Sequence, residues 1–159
     1  MRTLKEDFFD NLGIGEKSQI EYWLRKYKIN NFKINDDLTI DVKYLDLSCY
    51  KEESLPEFIQ FGKVIMCDVS NSNLKTLKGL PQDYVVYFYC NYCEELTSLQ
   101  YCPKRVSNFE CEGCSKLKSL KFGPSIVNGT FKCRNCGKKF KVEDVIKICP
   151  KINLEYVIL

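Results

Sequence analysis

Three cysteine pairs with Cys-x-x-Cys spacing are the residues of this sequence most able to do chemistry. They are Cys90 and Cys93, Cys111 and Cys114, and Cys133 and Cys136. Two such pairs supply four thiolates, which is the ligand set of a structural zinc ribbon. The other interpretations are a disulfide framework and small apolar residues of a protein core.

Histidine is absent, although the chain of 159 residues contains ten cysteines. This absence excludes Ser-His-Asp and Cys-His nucleophilic catalysis, HExxH zinc hydrolysis and proton shuttling by histidine. Apolar residues make up 45% of the sequence and charged residues 28%. These fractions are typical of a globular protein, and the length suits one domain.

The N-terminal residues are charged from Arg2 onwards and contain no apolar stretch of the kind found in signal peptides. No run approaches the length of a membrane-spanning segment. We therefore expect a cytoplasmic protein without membrane contact, whose thiols stay reduced, which makes disulfides the least favoured interpretation. The net charge of +3, with arginines spread along the chain, argues against nucleic acid as the main partner.

A sequence repeat connects the cysteine pairs. The two central copies, at residues 85–103 and 106–124, share the pattern V-x-x-F-x-C-x-x-C-x-x-L-x-x-L followed by proline. Looser copies begin at Val42, Val64, Val127 and Cys149, so the six copies start at intervals of 22, 21, 21, 21 and 22 residues. Such a fixed period predicts a stack of similar structural units.

Each unit is expected to begin with a short strand whose Phe and first Cys point into the core, because side chains two apart share a face. The second Cys marks the bend that ends the strand, and Leu-x-x-Leu forms an irregular or 3₁₀ segment. One unit cannot bury its own apolar edge, so neighbouring units must stack and the ends need covers.

This pattern resembles the leucine-rich repeat, L-x-x-L-x-L-x-x-(N/C)-x-L, with a period of about 20 to 29 residues. Cys93 and Cys114 stand at its N/C position. The short period is similar to that of compact repeats in bacteriophage and bacterial effector proteins. The resemblance implies an α/β solenoid, a leucine-rich-repeat superhelix with a parallel concave sheet. It also implies a small cytosolic factor that binds a host or cellular protein.

Capping boxes predict two helices at the N-terminal end. Thr3-x-x-Glu6 indicates a helix over roughly residues 4–12, and Ser18-x-x-Glu21 indicates one over 19–27. The second helix has an apolar stripe suited to covering the first repeat, formed by Ile20, Trp23, Leu24 and Tyr27. We therefore expect an N-terminal helical cap over residues 1–41 and repeats over residues 42–141.

A helix followed by a strand is expected to close the other end, as a C-terminal cap over residues 142–159. The apolar face of this helix consists of Val142, Val145, Ile146 and Cys149. The closing strand would run through Ile152 and Leu154, with all three segments forming a single domain.

The repeat favours a core role for the cysteines over zinc binding. Each Cys-x-x-Cys recurs in register with Phe, Leu and Pro, which zinc ligation does not require. Equivalent cysteines of adjacent units would lie about 5 Å apart in a dry core, where a thiol donates to a backbone carbonyl. We therefore expect no cofactor. The first alternative is a zinc site made by Cys111, Cys114, Cys133 and Cys136. The second alternative is a redox-active thiol, whose pKa the cations of residues 134–139 would lower.

The candidate binding residues alternate with the buried strand positions on the exposed face of the sheet. They comprise two central tyrosines, Tyr87 and Tyr89; acidic and polar residues, Asp46, Asp68, Asn91, Glu110 and Glu112; and a basic end, Lys132 and Arg134. Rigid aromatic groups at the centre of a polar surface are typical of interface hot spots. The last row of this face is expected at Lys151, Asn153 and Glu155.

The leading hypothesis is a non-enzymatic protein–protein interaction module whose partner is another protein. The tyrosines would anchor the partner, and the acidic units would steer a basic surface towards them. The alternative hypothesis is a cysteine-only zinc-ribbon-type protein that binds nucleic acid through Arg134, Lys138, Lys139 and Lys141. An enzyme is the weakest hypothesis, because paired acids such as Glu110 and Glu112 need a pocket, which an open sheet does not offer.

Overall fold

The structure is a computed structural model that describes residues 15–159, so the predicted helix over 4–12 lies outside the described residues. The described elements are α1 (Glu16–Lys26), β1 (Phe32–Ile34), β2 (Ile40–Asp46), β3 (Phe61–Asp68), β4 (Tyr84–Tyr89), β5 (Arg105–Glu110), β6 (Ile126–Val127), β7 (Phe131–Lys132), α2 (Val142–Ile148), a 3₁₀ turn (Leu154–Tyr156) and β8 (Val157–Ile158). Among these residues, no helix lies between Lys26 and Val142.

The strands form one sheet in the order β1-β2-β3-β4-β5-β7-β8, with β6 also paired to β5. Among the strands of residues 15–159, β1 and β2 alone pair antiparallel, and the pairs that follow along the sheet are parallel. Each parallel step is made by one turn of the chain rather than by a crossover helix. The fold is therefore a β-solenoid of about four turns, which confirms the predicted stacking of parallel strands with a period near 21 residues.

A sharp bend follows each of the strands β2, β3, β4, β5 and β7, and one residue in it adopts the left-handed conformation. These residues have φ between 54° and 72°, and they are Cys49, Asn71, Tyr92, Gly113 and Asn135. Backbone hydrogen bonds between turns continue through the bend, as from Asn71 N to Asn91 O at 2.8 Å and from Gly113 N to Arg134 O at 2.8 Å. The chain therefore changes direction without interrupting the series of backbone hydrogen bonds between successive turns.

The same core positions are occupied by buried side chains in successive turns of the backbone. Phe88, Phe109 and Phe131 lie opposite one another on β4, β5 and β7 and are fully buried. The rings of Phe88 and Phe109 are parallel with centroids 6.0 Å apart, and Phe109 lies 5.1 Å from Phe131. The leucines of the irregular segments are also buried, namely Leu74, Leu77, Leu96, Leu99, Leu117 and Leu120.

Helix α1 packs against one end of this core. Ile20, Trp23 and Leu24 are buried, as its apolar stripe predicts. The Trp23 ring lies 6.1 Å from the ring of Tyr50 and 6.4 Å from that of Phe61.

The predicted start of this helix at a Ser18-x-x-Glu21 capping box is wrong. The helix begins at Glu16 with Gly15 as its N-cap, and the carbonyl of Gly15 accepts from Ser18 N at 2.9 Å. Ser18 therefore lies inside the first turn of the helix and is not its N-cap. Gly15 takes that position instead, with an extended backbone and no side-chain hydrogen bond to the helix.

The C-terminal end differs from the prediction in two ways. Helix α2 buries Val145 and packs Ile148 on the core, whereas Val142 and Ile146 are exposed. The closing strand is Val157–Ile158 rather than a strand through Ile152 and Leu154, because a 3₁₀ turn occupies Leu154–Tyr156. The Asn153 side chain accepts from Glu155 N at 3.1 Å and starts that turn.

Across residues 15–159, the helices are too short and too polar for any of them to cross a lipid bilayer.

We predict that Phe109→Ala lowers the free energy of unfolding by about 3 to 5 kcal/mol, because it opens a cavity at the centre of the phenylalanine stack. Urea denaturation followed by circular dichroism measures this loss. The matched control is Phe122→Ala, since Phe122 is 53% exposed, and its cost should stay within about 0.5 kcal/mol. Equal losses in the two variants would contradict the stacked core.

Candidate functional site

The side chains that alternate with the core positions form two rows across the exposed face of the sheet. The first row is Tyr44, Met66, Tyr87 and Asn108, and the second is Asp46, Asp68, Tyr89, Glu110 and Lys132. We call these nine residues the strand face. The parallel register places each residue beside its neighbour in the row, so residues far apart in sequence form one continuous surface.

Aromatic and apolar groups dominate the first half of the strand face. Tyr44 is 55% exposed and Tyr87 is 40% exposed, with the half-buried Met66 between them in register. The Tyr87 and Tyr89 rings lie 6.3 Å apart. Burial and the nearby Glu110 raise the pKa of Tyr89, so its hydroxyl stays neutral and is able to donate a hydrogen bond.

Two exposed apolar residues beside this surface were not among the predicted binding residues. Tyr84 is exposed at the start of β4, and Ile65 is exposed in the middle of β3. The signal was present in the sequence, because the repeat places its first two apolar positions three residues apart, as at Val64 and Cys67, and both are buried. Strict alternation of buried and exposed positions therefore fails in the first half of these strands.

Asp46 and Asp68 carry the negative charge of the second row. Each carboxylate accepts a hydrogen bond from the backbone two residues later, Asp46 from Ser48 N at 2.9 Å and Asp68 from Ser70 N at 2.8 Å. Neither carboxylate forms an ion pair with another residue in the range 15–159. Their charge is therefore open to a partner.

The predicted basic end of the face is largely neutralised. Lys132 Nζ lies 2.8 Å from Glu112 Oε2 and 3.7 Å from Glu110 Oε2, and Arg134 Nη2 lies 3.1 Å from Glu112 Oε2. Hydrogen bonds from Lys132 and then Arg134 lower the pKa of Glu112. The four residues thus form an internal charge network, in which Glu110 and Glu112 compensate the basic end that the sequence predicts.

Asn91 is occupied by hydrogen bonds to adjacent turns. Its Oδ1 accepts from Glu112 N at 2.8 Å, its own backbone N donates to Ser70 Oγ at 3.1 Å, and its Nδ2 donates to Glu110 Oε2 at 3.4 Å. Its predicted role in partner binding remains a prediction.

A series of hydrogen bonds donated by cysteine thiols runs through the bends, and we call it the thiol ladder. Cys93 Sγ donates to Val69 O at 3.1 Å, Cys114 Sγ to Cys90 O at 3.0 Å, and Cys136 Sγ to Cys111 O at 2.9 Å. Each bend cysteine thereby satisfies a carbonyl of the preceding turn, as expected for thiols in a core. Burial also raises the pKa of the Cys67 and Cys102 thiols well above the usual value, so both stay neutral.

Three sulfurs come together at the end of this ladder. The Sγ atoms of Cys111, Cys133 and Cys136 all lie within 4.8 Å of one another. Cys111 Sγ is 2.8 Å from Cys133 Sγ, which is 3.5 Å from Cys136 Sγ. Cys114, the fourth member of the predicted zinc set, is not part of this group and donates to Cys90 instead.

The pKa values of these thiols shift in opposite directions. Burial raises the pKa of Cys111. The nearby thiols, Cys111 foremost, lower the pKa of Cys136, which is only partly buried. Cys136 is therefore the thiol of the group that ionises most readily.

The cations of the nucleic-acid alternative are partly engaged within the protein. Arg134 pairs with Glu112, and Lys138 Nζ lies 3.3 Å from Asp144 Oδ1 and 5.7 Å from the Phe140 ring centroid. Lys139 and Lys141 are exposed.

A groove of about 1380 Å³ lies where the strands begin. Its lining includes Lys33, Asp41, Lys63, Asp83 and Tyr84, and it does not include Glu110 or Glu112. The paired acids considered for catalysis are therefore outside it.

We predict that Glu112→Gln destabilises the protein at neutral pH and that this effect disappears in acid. A carboxyl whose folded pKa is depressed adds stability above the ordinary glutamate pKa of about 4.3 and loses it as the pH falls. Urea midpoints at pH 7 and at about pH 2, where the carboxyl is protonated in the folded and the unfolded chain, measure the difference from the unmodified protein. Glu94→Gln, at an exposed position, should show no such pH-dependent gap. A gap at pH 7 that persists in acid would contradict the charge network.

Comparison of the chain with protein-family models, with curated proteins and with solved structures gave no match.

Proposed function

We propose that this protein is a non-enzymatic protein–protein interaction module that binds a basic partner protein on its strand face. The observation that carries the proposal is the pair of adjacent rows on β2, β3 and β4. Tyr44 and Tyr87 are exposed and flank the half-buried Met66. Beside them lie Asp46 and Asp68, whose carboxylates form no ion pair within residues 15–159.

The dimensions of this surface suit an extended segment of a partner. Neighbouring strands lie about 4.8 Å apart, so the two steps from Tyr44 to Tyr87 span about 10 Å. About three residues of an extended chain cover that distance. A segment crossing β2, β3 and β4 would place apolar side chains on the tyrosines and cationic side chains on the aspartates.

The charge distribution favours a basic partner in this half of the face only. Lys132 and Arg134 compensate Glu110 and Glu112, which leaves Asp46 and Asp68 as the carboxylates available for steering. Complementary charge of this kind raises the association rate and the selectivity more than the affinity. The tyrosines then supply the buried contact area on which affinity depends.

The resemblance to leucine-rich repeats supports this use of the sheet, because solenoids of that kind bind partners along their sheet surface. A phage- or bacterial-encoded factor that engages a host protein in the cytoplasm is the most specific form of the proposal. It rests on the resemblance alone, since a scaffold does not determine function.

The first test is selection from a library of random dodecapeptides displayed on phage, with the immobilised protein as bait. We predict enrichment of peptides that combine Lys or Arg with an aromatic or aliphatic residue. Tyr87→Ala should weaken a selected peptide by about 30-fold, because a hot-spot side chain contributes about 2 kcal/mol. Fluorescence anisotropy measures the affinity.

The matched control is Tyr101→Ala. Tyr101 is 37% exposed, close to the value for Tyr87, but lies outside the strands. Equal losses in the two variants, or enrichment without basic residues, would rule out the strand face as the binding surface.

The second test concerns charge. Asp68→Asn should slow the association of a selected basic peptide and flatten its dependence on salt, with little change in the dissociation rate. Stopped-flow kinetics at several salt concentrations measure both rates. Asp36→Asn, the same change in the exposed loop between β1 and β2, serves as the control and should leave the kinetics unaltered. A normal association rate for Asp68→Asn would remove the steering role.

A further inference from the structure

We propose that Cys111, Cys133 and Cys136 form a zinc-binding site at the C-terminal end of the thiol ladder. The site is independent of partner binding on the strand face. It differs from the four-cysteine set that the spacing suggests, because Cys114 is not a member.

The sulfur geometry is close to what zinc requires. Zinc–sulfur bonds of about 2.3 Å at tetrahedral angles place ligand sulfurs about 3.8 Å apart. The three sulfurs are separated by distances from 2.8 Å up to at most 4.8 Å. The ion therefore needs Cys111 Sγ and Cys133 Sγ to separate by about 1 Å, which a small side-chain rotation supplies.

The repeat alone does not produce this cluster. Cys90, Cys111 and Cys114 occupy the equivalent positions one turn earlier, yet they do not form such a group among the described residues. There, Cys90 Sγ points to Glu110 O at 3.6 Å. One turn later, Cys111 Sγ instead points to Cys133 Sγ. The clustering is thus a specific feature of the turn that carries Cys133 and Cys136.

The position of Cys136 gives an ion a route to the site. Cys111 and Cys133 are buried, whereas Cys136 is partly exposed. The turn that carries Cys136 is tight, since Asn135 has a φ of 54° and Gly137 N donates to Cys114 O at 3.0 Å. Cys133 and Cys136 are therefore held in a chelating arrangement before the ion arrives.

Binding exchanges protons for metal. Three S–H bonds break, three Zn–S bonds form and three protons pass to solvent, which leaves a site with a net charge of −1. Thiolates select soft ions, so zinc is preferred over magnesium or calcium. Water completes the coordination from the exposed side.

The test is the zinc content of the full chain, purified from zinc-supplemented cells and measured by plasma mass spectrometry. We expect about one zinc per chain, in line with a single site. Cys136→Ser should weaken zinc binding by at least about tenfold, as measured against a chromophoric chelator. Reconstitution with Co²⁺ should give a thiolate charge-transfer band that Cys136→Ser diminishes.

Two matched controls come from the repeat itself. Serine occupies the bend position in the turn that begins at Val64, where Ser72 is buried and lies 3.5 Å from Cys93 Sγ. Cys93→Ser and Cys114→Ser therefore place a residue that this fold already accepts, and both should keep their zinc. Thermal denaturation of each variant checks that folding is retained.

Three results would overturn the proposal. The first is a chain without zinc after purification under reducing conditions. The second is an equal loss of zinc in Cys93→Ser and Cys136→Ser. The third is an equal loss in Cys114→Ser, which would indicate the four-cysteine set instead.

Discussion

Backbone hydrogen bonding between successive turns is the interaction on which the rest of this structure depends. Val69 N donates to Tyr89 O on the next turn, and Cys90 N donates to Glu110 O one turn further on. A single turn of about 21 residues cannot bury its own apolar edge, so each turn is stable only when it is paired on both sides. The spacing between strands then sets the spacing of every side chain, whether in the core or on the surface.

This spacing explains why cysteine is so frequent at the bends. The chain turns away from the strand direction there, and the carbonyls of Val69, Cys90 and Cys111 are each met by a thiol from the following turn. Cysteine is small enough for the narrow space between turns and still supplies a weak donor. The same ladder brings three sulfurs together where it ends, so a structural role and a metal-binding role are compatible in one set of residues.

The strand face follows from the same register. Parallel pairing places Tyr44, Met66 and Tyr87 side by side, and places Glu110 beside Lys132. One half of the face is therefore apolar and negatively charged, while the other half is occupied by ion pairs between its own side chains. This difference between the halves directs the proposed binding to β2, β3 and β4.

The period, the parallel stacking and the buried positions of the repeats are predictable from the amino-acid sequence alone. The reason is that every turn must present apolar residues at the same places, which leaves a visible pattern. The pattern is weakest at the ends, and there prediction failed: α1 begins at Glu16, and the closing strand lies at Val157–Ile158. End segments pack against one turn only, so no repeat constrains them.

The side-chain contacts between turns, in contrast, depend on the folded arrangement of the whole stack. Glu112 binds Lys132 and Arg134, and Cys111 approaches Cys133 while Cys114 turns to Cys90. These contacts join residues about one period apart, and the sequence places several equivalent partners at that distance. Side-chain direction selects among them, and it depends on the packing of the complete stack rather than on the spacing of residues along the chain.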